Sequence, residues 1–257
     1  MVIIMFIDTH CHVEKKYYDD IDKVLEENLK AGCSKMIVSG CDLDGINETI
    51  PLLKYDFIYA TIGFHPDEVD NLPNNYISYL ENLIKNNKKI VGIGEIGLDY
   101  HYGKDTKEKQ IKLFESQLAL AERLNMPVCI HTRDATLDTI NSLKKYKVKG
   151  IIHCFSGSYE TACTYIKMGF KLGVGGVVTF KNSNLPSTLS KLSINDLVLE
   201  TDSPYLTPVP HRGEINSSKN ITFIIQKLSE IYGISLEMVQ KITNENVYSI
   251  YHVCVNK

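Results

Sequence analysis

The chain has 257 residues, 44% of them hydrophobic and 23% charged, with a net charge of −3. That size suits one α/β barrel, and no stretch approaches the ~20 apolar residues that a bilayer-spanning helix needs, which excludes a membrane role. Only Arg123, Arg133 and Arg212 are arginines and there is no basic run, so a surface that grips long nucleic acid by counterion release is not expected.

The first predicted strand, Val2–Ile7, leads into Asp8-Thr9-His10-Cys11-His12. The start of the chain is apolar but lacks a basic flank and a cleavage site, so it reads as a buried strand and not as a secretory signal. In an extended segment, residues two apart share a face, which lets His10 and His12 share a metal while Cys11 points into the wall. The alternative is two unrelated imidazoles. A helix over Asp20–Ala31 follows, with Ile21, Val24, Leu25 and Leu29 on one face and Gly32 as its stop. Strands over Lys35–Gly40 and Ile58–Gly63 come next, then a helix over Pro73–Asn86.

The fourth strand, Ile90–Gly94, ends at Glu95. The segment from Gly92 to Gly97 fits GxGxxG, a dinucleotide fingerprint only where a helix opens at once. Here Leu98 to Gly103 intervene and Glu95 would face the pyrophosphate, so that reading is rejected. Glu95 is placed to bridge two cations, or else to pair with Arg133 or a lysine. The clearest helix, Thr106–Leu124, carries Ile111, Phe114, Leu118 and Ala121 as its stripe, with Asp105 and Glu108 resembling a capping box.

His131 ends the strand Val128–His131, and His153 ends Gly150–His153. Taken singly, each could be a hydrogen-bonded core histidine. Cys129 lies two residues deeper than His131 and reads as packing. Helices over Ala135–Lys145, Tyr159–Met168 and Ser187–Leu192 separate the later strands, Phe170–Val174 and Leu197–Glu200. After the last strand, Asp202 precedes Ser203-Pro204 and could be a metal ligand and proton acceptor, or the start of an Asx-turn. Helices over Lys219–Tyr232 and Leu236–Tyr251 finish the chain.

The strands are rich in Ile and Val and do not alternate with polar residues, the pattern of parallel strands covered on both faces. Repeated β-then-α units without a Pro/Gly/Ser-rich linker predict one domain, a (β/α)8 barrel with an additional C-terminal helix; an open doubly wound sheet is the rival. The ligand set favours the barrel, whose mouth gathers the C-terminal ends of all strands. His10, His12, Glu95, His131, His153 and Asp202 would meet there, and such a buried cluster of charge needs cations. Mixed N/O donors suit Zn²⁺, Mn²⁺ or Fe²⁺, with Mg²⁺ possible where carboxylates dominate. The seven cysteines fit no disulfide framework and no paired CxxC knuckle, so free thiols and a cytoplasmic location are expected.

Six segments together resemble the TatD family of metal-dependent hydrolases, within the amidohydrolase superfamily. They are Ile7-Asp-Thr-His-Cys-His12, Ile62-Gly-Phe-His-Pro66, Gly92-Ile-Gly-Glu-Ile-Gly-Leu-Asp99, Ile130-His-Thr-Arg-Asp134, Ile152-His-Cys-Phe-Ser-Gly157 and Glu200-Thr-Asp-Ser-Pro-Tyr-Leu206. The resemblance runs from Phe6 to about Tyr251 and implies a barrel with one to three divalent cations and deoxyribonuclease activity, typically release of nucleotides from DNA 3′ ends. It places the metal ligands on the six residues named above and sets His65 near the scissile phosphate. The chain departs from the family after the eighth strand, where a basic Arg-Gly-Lys-Arg-Asn-Glu-Pro stretch is replaced by Arg212-Gly-Glu-Ile-Asn-Ser-Ser218. Two cations are lost, at the positions of Glu214 and Ile215.

The expected reaction is phosphodiester hydrolysis by a pair of cations, with His10, His12, Glu95 and Asp202 on one and Glu95, His131 and His153 on the other. Asp202 is the expected proton acceptor, His65 and Arg133 the partners of the non-bridging oxygens, and Tyr205 and Arg212 the rim contacts. DNA or a short oligonucleotide is the expected partner; nothing calls for an obligate protein partner. His211 and His252 are expected at the surface. The altered Arg212–Ser218 segment keeps a second reading open: hydrolysis of an amide or ester in a small substrate or an aminoacyl-tRNA. A third, a metal-bound scaffold without activity, fits poorly with a full ligand set.

Overall fold

Apolar runs separated by amphipathic helices can bury both faces of every strand only if the helices form a ring outside a closed sheet. The computed structural model, which describes residues 5–101 and 104–255, has that arrangement. Strands β1 (Phe6–Cys11), β2 (Cys33–Gly40), β3 (Ile58–Ile62), β4 (Ile90–Asp99), β5 (Val128–Arg133), β6 (Gly150–Ile152), β7 (Lys171–Val174) and β8 (Leu197–Leu199) pair in parallel in chain order. The expected start of the first strand at Val2 lies outside the described residues. The ring closes just past β8, where Asp202 N–H donates to His10 O at 3.0 Å and His12 N–H donates to Ser203 O at 2.7 Å. Asp8 supports this seam from inside, accepting from the Thr201 amide at 3.1 Å and the Thr201 hydroxyl at 2.7 Å. The chain is thus an α/β (β/α)8 barrel, and the open sheet is excluded.

Around it lie α1 (Ile21–Lys30), α2 (Leu43–Leu52), α3 (Tyr76–Asn86), α4 (Lys107–Leu124), α5 (Thr136–Leu143), α6 (Tyr159–Lys167), α7 (Leu185–Leu189), α8 (Ile221–Tyr232) and α9 (Leu236–Tyr251). Asp20 caps α1 by accepting from Lys23 N. Helix α2 was not expected from the sequence, because Gly45, Asn47, Thr49 and Pro51 are poor helix formers. It forms because Asp42 accepts from Gly45 N at 2.6 Å and because Ile46 is buried against the sheet. The expected capping box of α4 is not made: the cap position is Thr106, and Asp105 sits in a 3-10 turn, Lys104–Thr106. α7 begins two residues earlier than expected, at Leu185.

The core has two parts. Most strand and helix side chains form one cluster between the sheet and the ring. A second cluster fills the N-terminal end of the barrel, where Ile7, Ile37, Ile151 and Val198 pack against Val247, Ile250 and Tyr251 of α9. The additional C-terminal helix is therefore the barrel's floor. Among the described residues, no helix is long and apolar enough to cross a membrane.

Candidate metal centre

Each candidate ligand is delivered by a strand or by the residues just after one. His10 belongs to β1 and His12 follows it, and their Nε2 atoms lie 3.2 Å apart. Glu95 is within β4, which continues four residues past it because Gly97 adopts φ +153°, with its position facing His131 O, where a Cβ would stand at 1.9 Å. These glycines therefore serve strand packing, and the phosphate-binding pattern they mimic is coincidental. His131 is within β5 and His153 directly follows β6. Asp202 has φ +54°, a left-handed turn that Asp tolerates.

The donor atoms converge on Glu95, one carboxylate oxygen per group. Glu95 Oε2 lies 3.4 Å from His10 Nε2 and 3.7 Å from His12 Nε2. Asp202 Oδ1 lies 3.5 and 3.8 Å from the same two nitrogens. Glu95 Oε1 faces the other way, 2.8 Å from His131 Nδ1 and 2.9 Å from His153 Nε2. His65 Nε2 stands 3.7 Å from that oxygen.

The first group fits a cation without further adjustment. Metal–ligand bonds of about 2.1 Å in a tetrahedral arrangement put neighbouring donors about 3.4 Å apart, and the five separations given for this group run from 3.2 to 3.8 Å. Two imidazole nitrogens at 3.2 Å can share a cation or one proton, not two. The second group offers Glu95, His131 and His153, the two facing imidazole nitrogens lying 3.4 Å apart, with His65 beside Glu95 and His131 and with His10 also within reach of Glu95 and His153.

Burial sets the charge states. Burial, reinforced by the charge of His153, pushes His10 down to about 3. His12 is lowered by burial as well. Burial alone would raise Glu95, but the surrounding His153, His10 and His131 hold its carboxyl well below the ordinary range. Burial would lower His131, yet hydrogen bonds to Asp99 and Glu95 raise it to about 9. Asp202 is raised to about 7, chiefly by burial. Two neutral imidazoles and a carboxylate that turns one oxygen toward each donor group make a set of lone pairs suited to divalent cations.

Above the donors opens a cavity of about 770 Å³. His65, Arg133 and Tyr205 line it, with Lys16 and Tyr17 beside Tyr205. The Tyr17 and Tyr205 hydroxyls lie 2.5 Å apart, and their rings meet edge to face. Glu14, Asp42, Asp67 and Glu68 add acidic groups to the lining, with Asp42 4.0 Å from Lys16. Arg212 is not brought to this cavity: it stacks on Phe180 at 3.9 Å and donates to Thr207 O at 2.9 Å. Its loop is held by buried Asn216, which donates to Thr201 O and Tyr205 O, and Ile215 points outward, 64% exposed. His252 is exposed, whereas His211 is only partly so and pairs with Glu214 at 3.1 Å.

Sequence reasoning missed the residues that hold this set from behind. Gln117 of α4 clamps the Phe64 backbone next to His65, accepting from its N–H at 2.8 Å and donating to its C=O at 3.0 Å. Gln110, one buried turn pair earlier on the same helix, does the same for Asp99. The signal was present as two glutamines seven residues apart on a helix's apolar stripe. Cys129 is packing, as its depth suggested, but its Sγ also lies 3.3 Å from His10 Nδ1.

A (β/α)8 barrel with four histidines and two carboxylates gathered on a shared glutamate at its mouth defines a metal-dependent hydrolase. The chain belongs to the TatD-related DNase family, whose profile matches residues 7–252. It is 38% identical over 255 residues to YabD of Bacillus subtilis, described as an uncharacterized metal-dependent hydrolase, covering 97% of this chain and 100% of that one. Among solved structures, YjjV, a TatD homologue from Escherichia coli, superposes with a TM-score of 0.92 at 28% identity, covering 98% of this chain and 100% of that one. A TatD family hydrolase from Entamoeba histolytica gives 0.86 at 26%, covering 96% and 98%.

Proposed function

We propose that the protein hydrolyses phosphodiester bonds of DNA, releasing nucleotides from 3′ ends, with two divalent cations held at the barrel mouth. One observation carries this reading: the two oxygens of Glu95 face two separate donor groups, the arrangement a pair of cations sharing one carboxylate requires. The family description, TatD related DNase, supports the choice of bond. His10, His12, Glu95 and Asp202 would hold one cation, and Glu95, His131 and His153 the other. A donor set with four imidazoles favours Zn²⁺, Mn²⁺ or Fe²⁺ over Mg²⁺. When bound, such a pair stabilises charge on a phosphoryl oxygen and lowers the pKa of an attacking water toward ~7.

The protein's own residues supply the rest. Asp202, whose Oδ1 stands beside the first donor group, would accept the water proton. His65 and Arg133 line the cavity where a non-bridging oxygen would sit and would neutralise it by charge-assisted hydrogen bonds. Tyr17 and Tyr205 offer ring edges and hydroxyls to a terminal nucleotide. The acidic groups in the cavity lining and the outward Ile215 and Glu214 favour a chain end over the middle of a long duplex. Seven free thiols, with Cys41 and Cys154 lining the cavity, suit a reducing, cytoplasmic setting.

The same acidic groups favour one second reading, hydrolysis of an ester or amide in a substrate with a cationic group, such as an aminoacyl ester. The test sets 3′- and 5′-labelled DNA and RNA oligonucleotides beside N-acyl amino acids and aminoacyl esters, with metal-replete wild type and Asp202→Asn. Nucleotide release from the DNA 3′ end, reduced at least ~100-fold in the variant with the fold retained, is expected. Turnover of the ester or amide alone selects the second reading, and full activity in the variant removes Asp202 from its role.

A further inference from the structure

Every imidazole in the metal centre has a second nitrogen, and what stands behind it differs between the two donor groups. Behind the first group the partners are neutral: Ser39 O lies 3.0 Å from His12 Nδ1, and the Cys129 thiol lies 3.3 Å from His10 Nδ1. Behind the second group they are carboxylates. Asp99 Oδ2 lies 3.1 Å from His131 Nε2. Its other oxygen accepts from His101 N at 2.8 Å, and Gln110 clamps its backbone, so its orientation is fixed. Glu200 Oε1 faces His153 Nδ1 at 3.6 Å and also accepts from Cys154 N.

Glu200 is fully buried, in space that exists because residue 173 is glycine: a Cβ there would stand 2.1 Å from Glu200 Oε2. Two buried polar atoms without a hydrogen-bond partner, His153 Nδ1 and Glu200 Oε2, belong to this one pair. A buried carboxylate kept so close to an imidazole and only half satisfied needs a reason.

We propose that Asp99 and Glu200 are positioning residues for the second cation, an inference that rests on the two-cation reading above. Asp99 keeps the His131 proton on Nε2 and so presents the Nδ1 lone pair toward Glu95 Oε1. Glu200 keeps the His153 proton on Nδ1 and presents Nε2. The opposite tautomers are needed because the two rings enter from neighbouring strands with opposite nitrogens forward. An anion behind an imidazole also strengthens it as a donor. The first group has Asp202 besides its share of Glu95, and manages with neutral partners. The second has only a share of Glu95, and draws its remaining negative charge through the two rings.

The experiment titrates Mn²⁺ into chelator-treated protein, reading affinity by calorimetry and pairing by the spin-coupled electron paramagnetic resonance signal. Wild type should take up two equivalents. Asp99→Asn and Glu200→Gln should each weaken one equivalent by about 10- to 100-fold and leave the other unchanged. The coupled signal should give way to a mononuclear one at the same loading. Cys129→Ala, on the other side, should leave the second equivalent intact. Both variants keep the shape of the side chain, and the Gln side chain can still accept from Cys154 N; if one does not fold, the other carries the test. Two equivalents of wild-type affinity in the folded variants, or equal weakening of both, overturns the role of Asp99 and Glu200 alone. A single equivalent in the wild type overturns the two-cation reading with it.

Discussion

The two ends of this barrel are built from the same strands and have opposite chemistry. At the N-terminal floor, Ile7, Ile37, Ile151 and Val198 meet Val247, Ile250 and Tyr251, all nearly inaccessible to water. At the mouth, strands of the same sheet carry or lead to His10, Glu95 and His153, equally buried but polar, with His131 and Asp202 partly buried beside them. The floor contributes stability by removing apolar area from water. The mouth contributes differently: its carboxylates and imidazoles lose hydration on burial and recover part of that loss by facing one another at 3–4 Å, and a cation would complete the pairing. Stability and function are thus divided along the barrel axis, with α9 holding one end and a metal expected to hold the other.

The sharpest way to break this division is Glu95→Gln. The amide keeps the shape but loses the charge both donor groups share, so turnover should fall at least about a thousand-fold, about 4 kcal/mol in barrier. The melting temperature of the metal-free protein should fall as well, because the held-down carboxylate is the partner of the raised His131 and His153. An unchanged or raised melting temperature would show that Glu95 is not paired with these imidazoles before metal binds. Ile250→Ala tests the other end. It leaves a cavity at the floor and should destabilise by about 2–4 kcal/mol in denaturant, while kcat of the folded fraction and metal stoichiometry stay at wild-type values. Loss of metal on that substitution would mean that the two ends are coupled through the strands.

The smallest effect expected is a pH dependence confined to the mouth. His131 is raised to about 9 by Asp99 and Glu95 acting against burial, and His153 is raised as well. A raised histidine contributes stability in full below its unfolded pKa of about 6.5 and loses it as pH climbs through the folded value. Metal-free protein should therefore lose about 2 kcal/mol between pH 7 and pH 9 from the His131 proton alone. Saturating Mn²⁺ should flatten the slope by taking the place of those protons. Thermal melts at three pH values with and without metal check it; a steeper slope in the metal-loaded protein would contradict the assignment.

How much of this was legible without coordinates depended on how local the cause was. The apolar runs named their strands because a parallel strand is buried on both sides and tolerates little else. Helix α1 announced both ends, since Asp20 caps it and Gly32 follows it. Helix α2 did not, because its stability comes from Ile46 packing on the sheet and not from its own residues. In the mouth, side chains at strand ends could be read as ligands one by one, yet Asp99, Glu200, Gln110 and Gln117 could not, because their partners lie 11 to 53 residues away on other elements. Arg212 illustrates the converse. It looked like a rim cation, but the loop geometry turned it onto Phe180.

The order of the strands, the chemical identity of the ligands and the absence of a strong basic surface were properties of the linear chain, since each depends on residue type and short-range spacing. Closure of the ring, the splitting of Glu95 between two donor groups, and the choice of which nitrogen each histidine turns forward were decided in three dimensions. The reason is one of distance: a strand end knows which side chain it carries, but only the seam at Asp8, Thr201 and Ser203 brings β1 beside β8, and only then do His10, His12 and Asp202 come within a metal bond or two of each other.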